Sequence, residues 1–534
     1  FDASADYEGE TYLGEDTADS NGTWTVTISS PYTADGNVLT ATVTSTVNNT
    51  SAFSNTFSLS VSVVSSHLKI SDTYGSFTAV LDNTDLFGGE VASIGDLDGD
   101  GNVDLAVGAA VDDDGIASGG AVYILFMQTD GSVISFQKIS DTAGSFTATF
   151  GSTHYFGGAI TELGDLDGDG VQDLAVGASG DNDGGSDRGA IFILFMQTDG
   201  SVNSFQKISD TAGSFTAVLE NSDRFGASVD SIGDLDGDGI GDLAVGAYAD
   251  SDGGSSRGAV YILFLEERGT VKSYQKISDT AGSFTATLDN SDEFGGDVAA
   301  MGDLDGDGVV DLVVGASFDD DGANDIGAVY LLNMQTNGSV SSYQKISYSA
   351  GSFTADLGLS DRFGVSVAAM GDHDGDGNLD LVVGAFLDDD GGDARGAAYV
   401  LYLQTDQTVK SFQKISDTVG GFTAVLDNTD YLGGSVTLLD DLDGDGVDDL
   451  VISANGDDDG GSSRGAIYPI FLNSESTIGA LTINSHPTVV NLAVNKTSNF
   501  TLTFTTATAM PVNGDIDIIF PVGFDLTSIG SGDA

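Results

Sequence analysis

Short apolar stretches of strand length, separated by glycine-rich turns, recur along most of this chain. In the first clear unit they lie at residues 91–94, 105–107, 121–126 and 135–140, where apolar residues alternate with polar ones or run without interruption. Helical periodicity is absent, and the 74 glycines interrupt any candidate helix. The pattern therefore predicts an all-β protein in which each unit supplies four short strands.

The same unit recurs six times with a constant period. A run of the form D-x-D-G-D-G-x-x-D, which we call an aspartate loop and number by positions 1 to 9, begins 69 residues after the previous one each time. The loops begin at Asp96, Asp165, Asp234, Asp303, Asp372 and Asp441. Four strands in a sixfold repeat are typical of a β-propeller, so we predict six four-stranded blades.

Every aspartate loop places carboxylates at positions 1, 3, 5 and 9. Like charges this close repel one another unless a cation lies between them. Calcium takes about six to eight oxygen ligands, which Asp side chains at alternate positions and the carbonyl of position 7 can supply. Magnesium requires a stricter octahedron, while zinc or copper would require His or Cys, and the chain has no cysteine. An EF-hand is excluded, because its longer loop ends in Glu between two helices.

We therefore predict about six Ca²⁺ ions, one in each loop, with ligands at positions 1, 3, 5, 7 and 9. The alternative is an acidic, glycine-rich turn without an ion, since Asp-Gly is also a hairpin signal. Six copies in register, all with four carboxylates, favour the metal site. The predicted ligands are Asp96, Asp98, Asp100, Asn102, Asp104, Asp165, Asp167, Asp169, Val171, Asp173, Asp234, Asp236, Asp238, Ile240, Asp242, Asp303, Asp305, Asp307, Val309, Asp311, Asp372, Asp374, Asp376, Asn378, Asp380, Asp441, Asp443, Asp445, Val447 and Asp449.

Two further motifs accompany each loop. Phe-Gly precedes it in five units, with Leu432-Gly433 in the sixth, and Gly-Ala follows it in five units, with Ser453-Ala454 in the sixth. With these motifs the units resemble FG-GAP repeats, the blades of integrin α-subunit heads and of many bacterial surface proteins, over about residues 67–476. The proline expected after Gly-Ala is absent from every copy. The resemblance implies a calcium-binding propeller.

The blade count depends on how the ring closes. Lys-Ile-Ser marks the fourth strand and also occurs at Lys69, before the first unit, whereas the sixth unit has no clear copy after its third strand. We predict that the strand near residues 67–71 completes the last blade and removes the open edges. Residues 480–485 are the alternative outer strand. Six blades would differ from integrin heads, which have seven.

Alternating strand direction would place all the aspartate loops on one face, which we call the loop face. The opposite face receives other acidic loops, such as residues 112–115 and 250–253. Four of these end in Arg-Gly, and we expect the arginines to pair with the aspartates of their own turn. These arginines are Arg188, Arg257, Arg395 and Arg464. In integrin heads this face meets ligands, so the resemblance implies a surface here for an unknown protein or glycan ligand.

The composition restricts the partners further. The chain has 83 acidic and 16 basic residues and a formal net charge of −67, which makes nucleic acid and anionic membrane surfaces unsuitable partners. Such acidity suits a saline, calcium-rich exterior, and 40% apolar residues are enough for packed cores. No apolar run is long enough to span a bilayer, so we expect no direct membrane insertion in this segment.

The two ends lose the repeat and are rich in Thr, Ser and Val. We predict a partial Ig-like β-sandwich at residues 1–66, the propeller at 67–476 and the start of a further, truncated β-sandwich at 477–534. Trp24 is expected in the core of the first. Because no initiator Met, signal peptide or anchor is visible, we interpret the chain as part of a larger multidomain protein that is secreted or displayed at the cell surface.

Catalytic motifs such as G-x-S-x-G and H-E-x-x-H are absent, and the four histidines do not recur with the repeat. We therefore predict that this segment is not an enzyme. The leading hypothesis is an extracellular adhesion or interaction module with a structural Ca²⁺ in each blade. The alternative is a non-catalytic accessory region of a large secreted polysaccharide-degrading enzyme.

Overall fold

Each repeated unit folds into one antiparallel sheet of four strands. The computed structural model describes residues 64–472, apart from 114, 322 and 323, and the backbone of six strands outside that range. The chain divides into two units, one of residues 66–472 and one that combines residues 1–65 with 473–534. The larger unit contains the six sheets, which are the six blades predicted from the repeat.

The first five blades use their strands in chain order, from the innermost strand to the outermost. These strands are β5 (Glu90–Ser93), β6 (Leu105–Ala109), β7 (Ala121–Met127) and β8 (Val133–Ile139); β9 (Phe156–Gly164), β10 (Asp173–Ala178), β11 (Ala190–Met196) and β12 (Val202–Ile208); β13 (Ser228–Ser231), β14 (Leu243–Ala247), β15 (Ala259–Glu266) and β16 (Thr270–Ile277); β17 (Val298–Gly302), β18 (Asp311–Ala316), β19 (Ala328–Met334) and β20 (Val340–Ser347); and β21 (Val367–Gly371), β22 (Asp380–Ala385), β23 (Ala397–Leu403) and β24 (Val409–Ile415).

The sixth blade takes its outer strand from the other end of the unit. It consists of β25 (Leu432–Leu439), β26 (Asp449–Ala454), β27 (Ala466–Leu472) and β4 (Val64–His67). Just beyond β4, Ile70 and Ile467 donate hydrogen bonds to each other's carbonyls, at 2.9 and 3.0 Å. The predicted closure by the strand near residues 67–71 is confirmed. Residues 480–485, the alternative, lie outside the described residues.

The hydrophobic core lies between neighbouring blades. The third strands are almost entirely apolar and buried, as in β7, because a sheet covers each side. The polar exceptions are Asn333 in β19 and the exposed Glu266 at the end of β15. Alternate residues of β7 enter two different clusters: Val122 and Ile124 pack toward the second blade, while Tyr123 and Leu125 pack toward the sixth. Uninterrupted apolar runs in the sequence therefore mark the strands that are covered on both faces.

The glycines of the two repeated motifs meet at the blade junctions. A Cβ atom on Gly246 would overlap the carbonyl oxygen of Gly295, which belongs to the Phe-Gly pair of the next blade. The same approach occurs between Gly108 and Gly157, Gly177 and Gly226, Gly315 and Gly364, and Gly384 and Gly433. At the remaining junction Ser453 takes the place of the glycine, and its hydroxyl accepts a hydrogen bond from the Ser435 NH at 2.8 Å. Close backbone packing between blades thus explains why these positions are glycine.

The first strands surround a central channel of about 470 Å³. Buried serines next to the lining residues connect neighbouring blades: the Ser366 hydroxyl accepts a hydrogen bond from the Val436 NH, and the Ser435 hydroxyl accepts one from the Val91 NH, both at 3.0 Å. The second of these joins the sixth blade to the first. The ring is therefore closed at its centre as well as at its outer edge.

In the smaller unit the structure describes six strands, in two sheets ordered β1-β29-β3 and β28-β2-β30. Its strands are β1 (Thr23–Ile28), β2 (Asn37–Thr44), β3 (Leu59–Val61), β28 (Val490–Val494), β29 (Phe500–Thr505) and β30 (Asp515–Ile519). The Ig-like and β-sandwich assignments of the two ends stay predictions, as does the core position of Trp24. Among the residues that the structure describes, no helix has the length and apolar character needed to cross a membrane.

Candidate metal centre

Each aspartate loop joins the first and second strands of a blade, so all six lie on the loop face. The glycines at positions 4 and 6 adopt left-handed backbone conformations, with φ of +80° at Gly99 and +94° at Gly101. No described heavy atom lies within 4 Å of a Cβ built at either position. Conformation, and not lack of space, therefore selects glycine here.

The carboxylate at position 1 organises the loop. In the second loop, Asp165 Oδ1 accepts hydrogen bonds from the NH groups of Gly168 at 2.7 Å and Asp169 at 2.9 Å. Its Oδ2 accepts one from the Gly170 NH at 2.8 Å. The backbone thus wraps around a single carboxylate, and the first and fourth loops contain the same set of bonds.

The carboxylates at positions 3 and 5 each use one oxygen within the loop. Asp167 Oδ1 accepts a hydrogen bond from the Asp169 NH at 3.2 Å, and Asp169 Oδ1 accepts one from the Val171 NH at 2.9 Å. The backbone bonds of the loop thus engage Oδ1 of both residues and leave Oδ2 to other partners. These second oxygens are hard donors of the kind that calcium prefers.

The carboxylate at position 9 is buried and joins the loop to the third strand. Asp173 is 1% exposed; its Oδ1 accepts a hydrogen bond from the Met196 NH at 3.0 Å and its Oδ2 one from the Leu166 NH at 2.9 Å. Burial raises the pKa of Asp173 to about 6, against the backbone hydrogen bonds that lower it. A nearby cation would favour the charged form. The equivalent pKa is about 6 at Asp104, Asp242 and Asp311 and about 7 at Asp380 and Asp449.

The structure brings positions 1, 3 and 9 together. In the first five loops one carboxylate oxygen from each of these three residues lies within 4.8 Å of the other two. These groups are Asp96, Asp98 and Asp104; Asp165, Asp167 and Asp173; Asp234, Asp236 and Asp242; Asp303, Asp305 and Asp311; and Asp372, Asp374 and Asp380. Position 5 is outside these groups, and the ligand role of positions 5 and 7 stays a prediction. The donors present are carboxylates alone, which fits a hard divalent cation such as calcium.

Among the described contacts, two loops hold a lysine ammonium against their carboxylates. Lys272, on the fourth strand β16, lies 2.7 Å from Asp236 Oδ2 and 2.7 Å from Asp238 Oδ2, at positions 3 and 5 of the third loop. Lys410, on β24, makes the same pairs in the fifth loop. The ammonium is a stand-in cation, and its contacts show that positions 3 and 5 can share one positive charge.

His373 occupies position 2 of the fifth loop, where the other loops have Leu. Its backbone NH donates a hydrogen bond to Asp380 Oδ2 at 3.0 Å, as the Leu NH does elsewhere. Its ring lies parallel to that of Tyr402, with centroids 6.2 Å apart. Burial lowers the pKa of His373, so the ring is neutral at neutral pH. These contacts fit a spacer in the loop.

On the opposite face, the lysine of each Lys-Ile-Ser motif fixes an acidic loop. Lys276 Nζ lies 2.8 Å from Asp250 Oδ2 and 2.6 Å from Asp252 Oδ2. The Tyr261 hydroxyl donates a hydrogen bond to the same Asp250 oxygen at 3.1 Å. In the sixth blade Lys69 takes this role with Asp457, at 2.6 Å, which is why Lys-Ile-Ser occurs before the first unit. These acidic clusters already contain their counter-ions.

The four arginines of the opposite face have different partners from those expected. We predicted pairs with aspartates of the same turn, but Arg188 Nη1 lies 2.5 Å from Asp210 Oδ2, beyond the fourth strand of its blade. Arg188 Nε also donates a hydrogen bond to Asn221 Oδ1 at 3.3 Å. The same aspartate pair occurs at Arg257 with Asp279, Arg395 with Asp417 and Arg464 with Asp72. The expectation of local pairing was wrong, because the turn and the next connection are adjacent in space.

Five buried aspartates beneath the opposite face predict a dependence of stability on pH. Burial raises the pKa of Asp292 to about 7, despite a hydrogen bond from the Asp289 NH to its Oδ2 at 2.7 Å. The pKa is raised to about 7 also at Asp85 and Asp430, and to about 6 at Asp223 and Asp361. In the unfolded chain these groups ionise near pH 4. The stability from their neutral form is thus complete below about pH 4 and is lost as the pH rises through 6 to 7.

We therefore expect the melting temperature of the calcium-free protein to fall between pH 5 and pH 8, as measured by calorimetry at constant ionic strength. Asp292→Asn, which keeps a neutral side chain of the same shape, should reduce that fall. Asp130→Asn is the control, since Asp130 is exposed and hydrogen bonds from Ser132 lower its pKa. A melting temperature that rises from pH 5 to pH 8 would contradict the expectation.

Comparison with known families agrees with this architecture. Four segments match family models described as FG-GAP repeat, at residues 157–194, 225–263, 294–332 and 353–401. They lie in the second to fifth blades. These blades are similar to FG-GAP repeats. The resemblance proposed from the Phe-Gly and Gly-Ala motifs is thereby confirmed for the repeats, and the FG-GAP-like blades form the ring described above.

The curated relatives of the chain include integrin α subunits. Integrin alpha-4 of Xenopus laevis is 29% identical over 202 residues, which cover 38% of this chain and 17% of that protein. Integrin alpha-IIb of Mus musculus is 36% identical over 182 residues, covering 33% and 16%, and integrin alpha-11 of Homo sapiens is 35% identical over 164 residues, covering 30% and 12%. The match thus spans less than a fifth of each relative.

Among solved structures, one of BBS1N in complex with ARL6DN, soaked with lead, matches with a TM-score of 0.39 and 12% sequence identity. That match covers 79% of this chain and 99% of the other.

Proposed function

We propose that this chain is a calcium-binding β-propeller that acts as an extracellular interaction module. The observation that carries the proposal is the set of six aspartate loops, whose position 9 carboxylates all hold the third strand of their blade. Similarity to integrin α subunits supports a role in adhesion and a place in a longer multidomain chain at the cell surface. The acidic surface suits a calcium-rich exterior.

Calcium would be held by positions 1, 3, 5, 7 and 9 of each loop, about six ions in all. A bound ion supplies two positive charges where carboxylates crowd together. The chain itself provides the remaining contacts. The carboxylate at position 1 shapes the loop, and the carboxylate at position 9 joins the loop to the third strand. Each ion would therefore hold the inner edge of a blade to its middle strands.

A protein partner would dock on the face opposite the aspartate loops. The connections between blades lie there, and three of them carry valines that are almost fully exposed: Val80, Val218 and Val425, at 82%, 84% and 87%. We propose these valines as contact residues, because burying an exposed apolar side chain on docking is favourable. The arginine and lysine pairs described above hold these connections in place, which preorganises the surface.

Binding of the labelled full chain to arrays of purified matrix proteins and of glycans tests this proposal. We expect protein spots to bind in calcium, and we expect Val218→Asp or Val425→Asp to reduce binding at least several-fold. Ile134→Asp is the matched control, because Ile134 is 53% exposed but lies on an outer strand. Binding lost in Ile134→Asp and retained in the valine variants would contradict the proposed face. Binding to glycan spots alone would replace the protein partner with a glycan.

A further inference from the structure

A hydrogen-bonded triad of side chains occupies four of the six junctions between blades on the opposite face. At the junction of the third and fourth blades, Arg257 Nη1 lies 2.5 Å from Asp279 Oδ2, and Arg257 Nε donates a hydrogen bond to Asn290 Oδ1 at 3.2 Å. The equivalent triads at three other junctions are Arg188, Asp210 and Asn221; Arg395, Asp417 and Asn428; and Arg464, Asp72 and Asn83. Charged and amide groups therefore cover these four junctions.

The junction of the fourth and fifth blades carries Ile326, Tyr348 and Leu359 at the same three positions of the repeat. Ile326 is buried in the core, whereas Tyr348 is 45% exposed and Leu359 is 70% exposed. The Tyr348 hydroxyl has no hydrogen-bond partner among the described contacts. The remaining junction, between the first and second blades, has Gly119, Asp141 and Ser152 at these positions. The fourth-to-fifth junction thus differs from the other five by its exposed aromatic and aliphatic side chains.

The fold gives this junction the same backbone arrangement as the preceding one. A parallel bridge joins Gly327 to Phe363, and the bridge 69 residues earlier joins the equivalent pair. The turn that carries Tyr348 is closed by the pair of Ser347 and Ala350, again as in the preceding blade. Tyr348 and Leu359 therefore occupy the places where, in a triad, the aspartate and the asparagine contact one arginine.

The surroundings of these two side chains are acidic. Asp320 lies in the connection between the second and third strands of the fourth blade, and Asp356 lies in the connection to the fifth blade. Both are exposed, and neither makes an ion pair among the described contacts. The nearby Arg362 instead donates a hydrogen bond from Nη2 to Asp325 Oδ2 at 3.3 Å. An apolar centre with free carboxylates around it is complementary to an apolar group with positive charges around it.

We propose that Tyr348 and Leu359 form the anchor for a protein partner that inserts an apolar or aromatic side chain flanked by basic residues. This inference rests on the proposed partner-binding face and identifies the junction and the chemistry that it recognises. Tyrosine is among the residues that most often dominate the free energy of protein interfaces, and burial of an exposed leucine on docking is favourable. A basic partner is also attracted by the net charge of −67. A second copy of the chain has the same net charge, so repulsion disfavours it as the occupant.

Photo-cross-linking of the full chain in calcium tests the proposal with a synthetic peptide. The probe carries p-benzoylphenylalanine, an aromatic photoreactive residue, between two arginines, and mass spectrometry locates the cross-linked sites. We expect the cross-links to concentrate at the junction of the fourth and fifth blades, with the other five junctions as internal references. The same peptide with glutamates in place of the arginines should give at least about fivefold fewer cross-links.

The triple variant Ile326→Arg, Tyr348→Asp and Leu359→Asn gives this junction the triad of the other four. We expect its cross-linking at the junction to fall at least about fivefold, with little change in melting temperature. Leu359→Asn alone should produce a smaller fall, and it provides the test if the triple variant does not fold. Val419→Ala is the matched control, because Val419 is also 45% exposed and four other turns have alanine at the equivalent position. Its cross-linking should match the wild type.

Cross-links spread evenly over the six junctions, or unchanged in the triple variant, would overturn the inference. The array experiment described above separates it from the proposed function. Matrix-protein binding that falls in Val218→Asp but not in the triple variant would remove the anchor and retain the face, whereas a wild type that binds no protein would overturn the proposed function itself. A wild type that sediments as a dimer and a triple variant that sediments as a monomer would assign the junction to a second copy and overturn the proposed occupant.

Discussion

Removal of calcium is expected to lower the stability of the propeller more than any single substitution. Ligands that bind only the folded state stabilise it, and at a free concentration ten times the dissociation constant each site contributes about 1.4 kcal/mol, or roughly 8 kcal/mol for six independent sites. Without calcium the carboxylates of each loop crowd together, and Lys272 and Lys410 supply a counter-charge in the third and fifth loops. We therefore expect a large fall in melting temperature in chelator, measured by calorimetry on the full chain.

Two controls make this result specific. Magnesium at the same concentration should restore little of the loss, because it gives up its bound water reluctantly and requires a stricter octahedron. Asp165→Asn should lower the melting temperature in calcium by a fraction of the chelator effect, since it weakens one loop of six. An unchanged melting curve in chelator would show that the loops are acidic turns without a structural ion.

Gly246→Ala is expected to be the most harmful small substitution. Its Cβ would overlap the Gly295 carbonyl oxygen of the next blade, and a backbone atom cannot move aside as a flexible side chain can. Overpacking of this kind costs about 3 kcal/mol. The measurement is the denaturant midpoint of the propeller in saturating calcium, which should fall clearly.

Gly241→Ala, five residues earlier, is the matched control. Gly241 also lacks a left-handed conformation, and the nearest described atom to its Cβ is the Leu163 carbonyl oxygen, at 3.9 Å. Its midpoint should stay close to the wild type. Equal midpoints for the two variants would show that the blade junctions can open at no cost. Ser453 occupies the equivalent position in the sixth blade, so the expected loss applies to the five glycine junctions.

Most of the fold could be predicted because the repeat is regular. A fixed period specifies how many blades exist, and strand-length apolar runs specify four strands in each. The closure could be predicted as well, because Lys69 belongs to a motif whose partner, Asp457, lies at the far end of the ring. In the sequence this long-range contact is visible as a Lys-Ile-Ser motif that precedes the first repeated unit.

The site was less predictable, because its details depend on contacts outside the nine-residue loop. Asp104 reads as a ligand in sequence, yet both its oxygens also accept backbone hydrogen bonds, one from Met127 on the third strand. Lys272 lies 36 residues after Asp236 and is brought to it only by the hairpins of the blade. In the sequence Lys272 can be recognised as a departure from the repeat. Its contact with Asp236 could not be predicted without the register of the sheet.

In the second blade two neighbouring positions depart from the repeat together. His154 stands where the other blades have a buried aspartate, and Phe192 replaces the tyrosine whose hydroxyl would have contacted Asp181. His154 Nδ1 lies 3.5 Å from Asp181 Oδ2, so the imidazole takes a place beside that carboxylate. Burial lowers the pKa of His154. Both departures from the repeat therefore alter the surroundings of the same carboxylate, that of Asp181.

The closure of the sixth blade also decides how the ring responds to mechanical load. Because β4 and β27 are antiparallel, the chain enters the propeller at Val64 and leaves it after Leu472 at the same end of one strand pair. Tension applied between Val64 and Leu472 would act across this pair and break its hydrogen bonds one after another. The other five blades lie outside the loaded path. Under such tension the propeller would open first at its sixth blade.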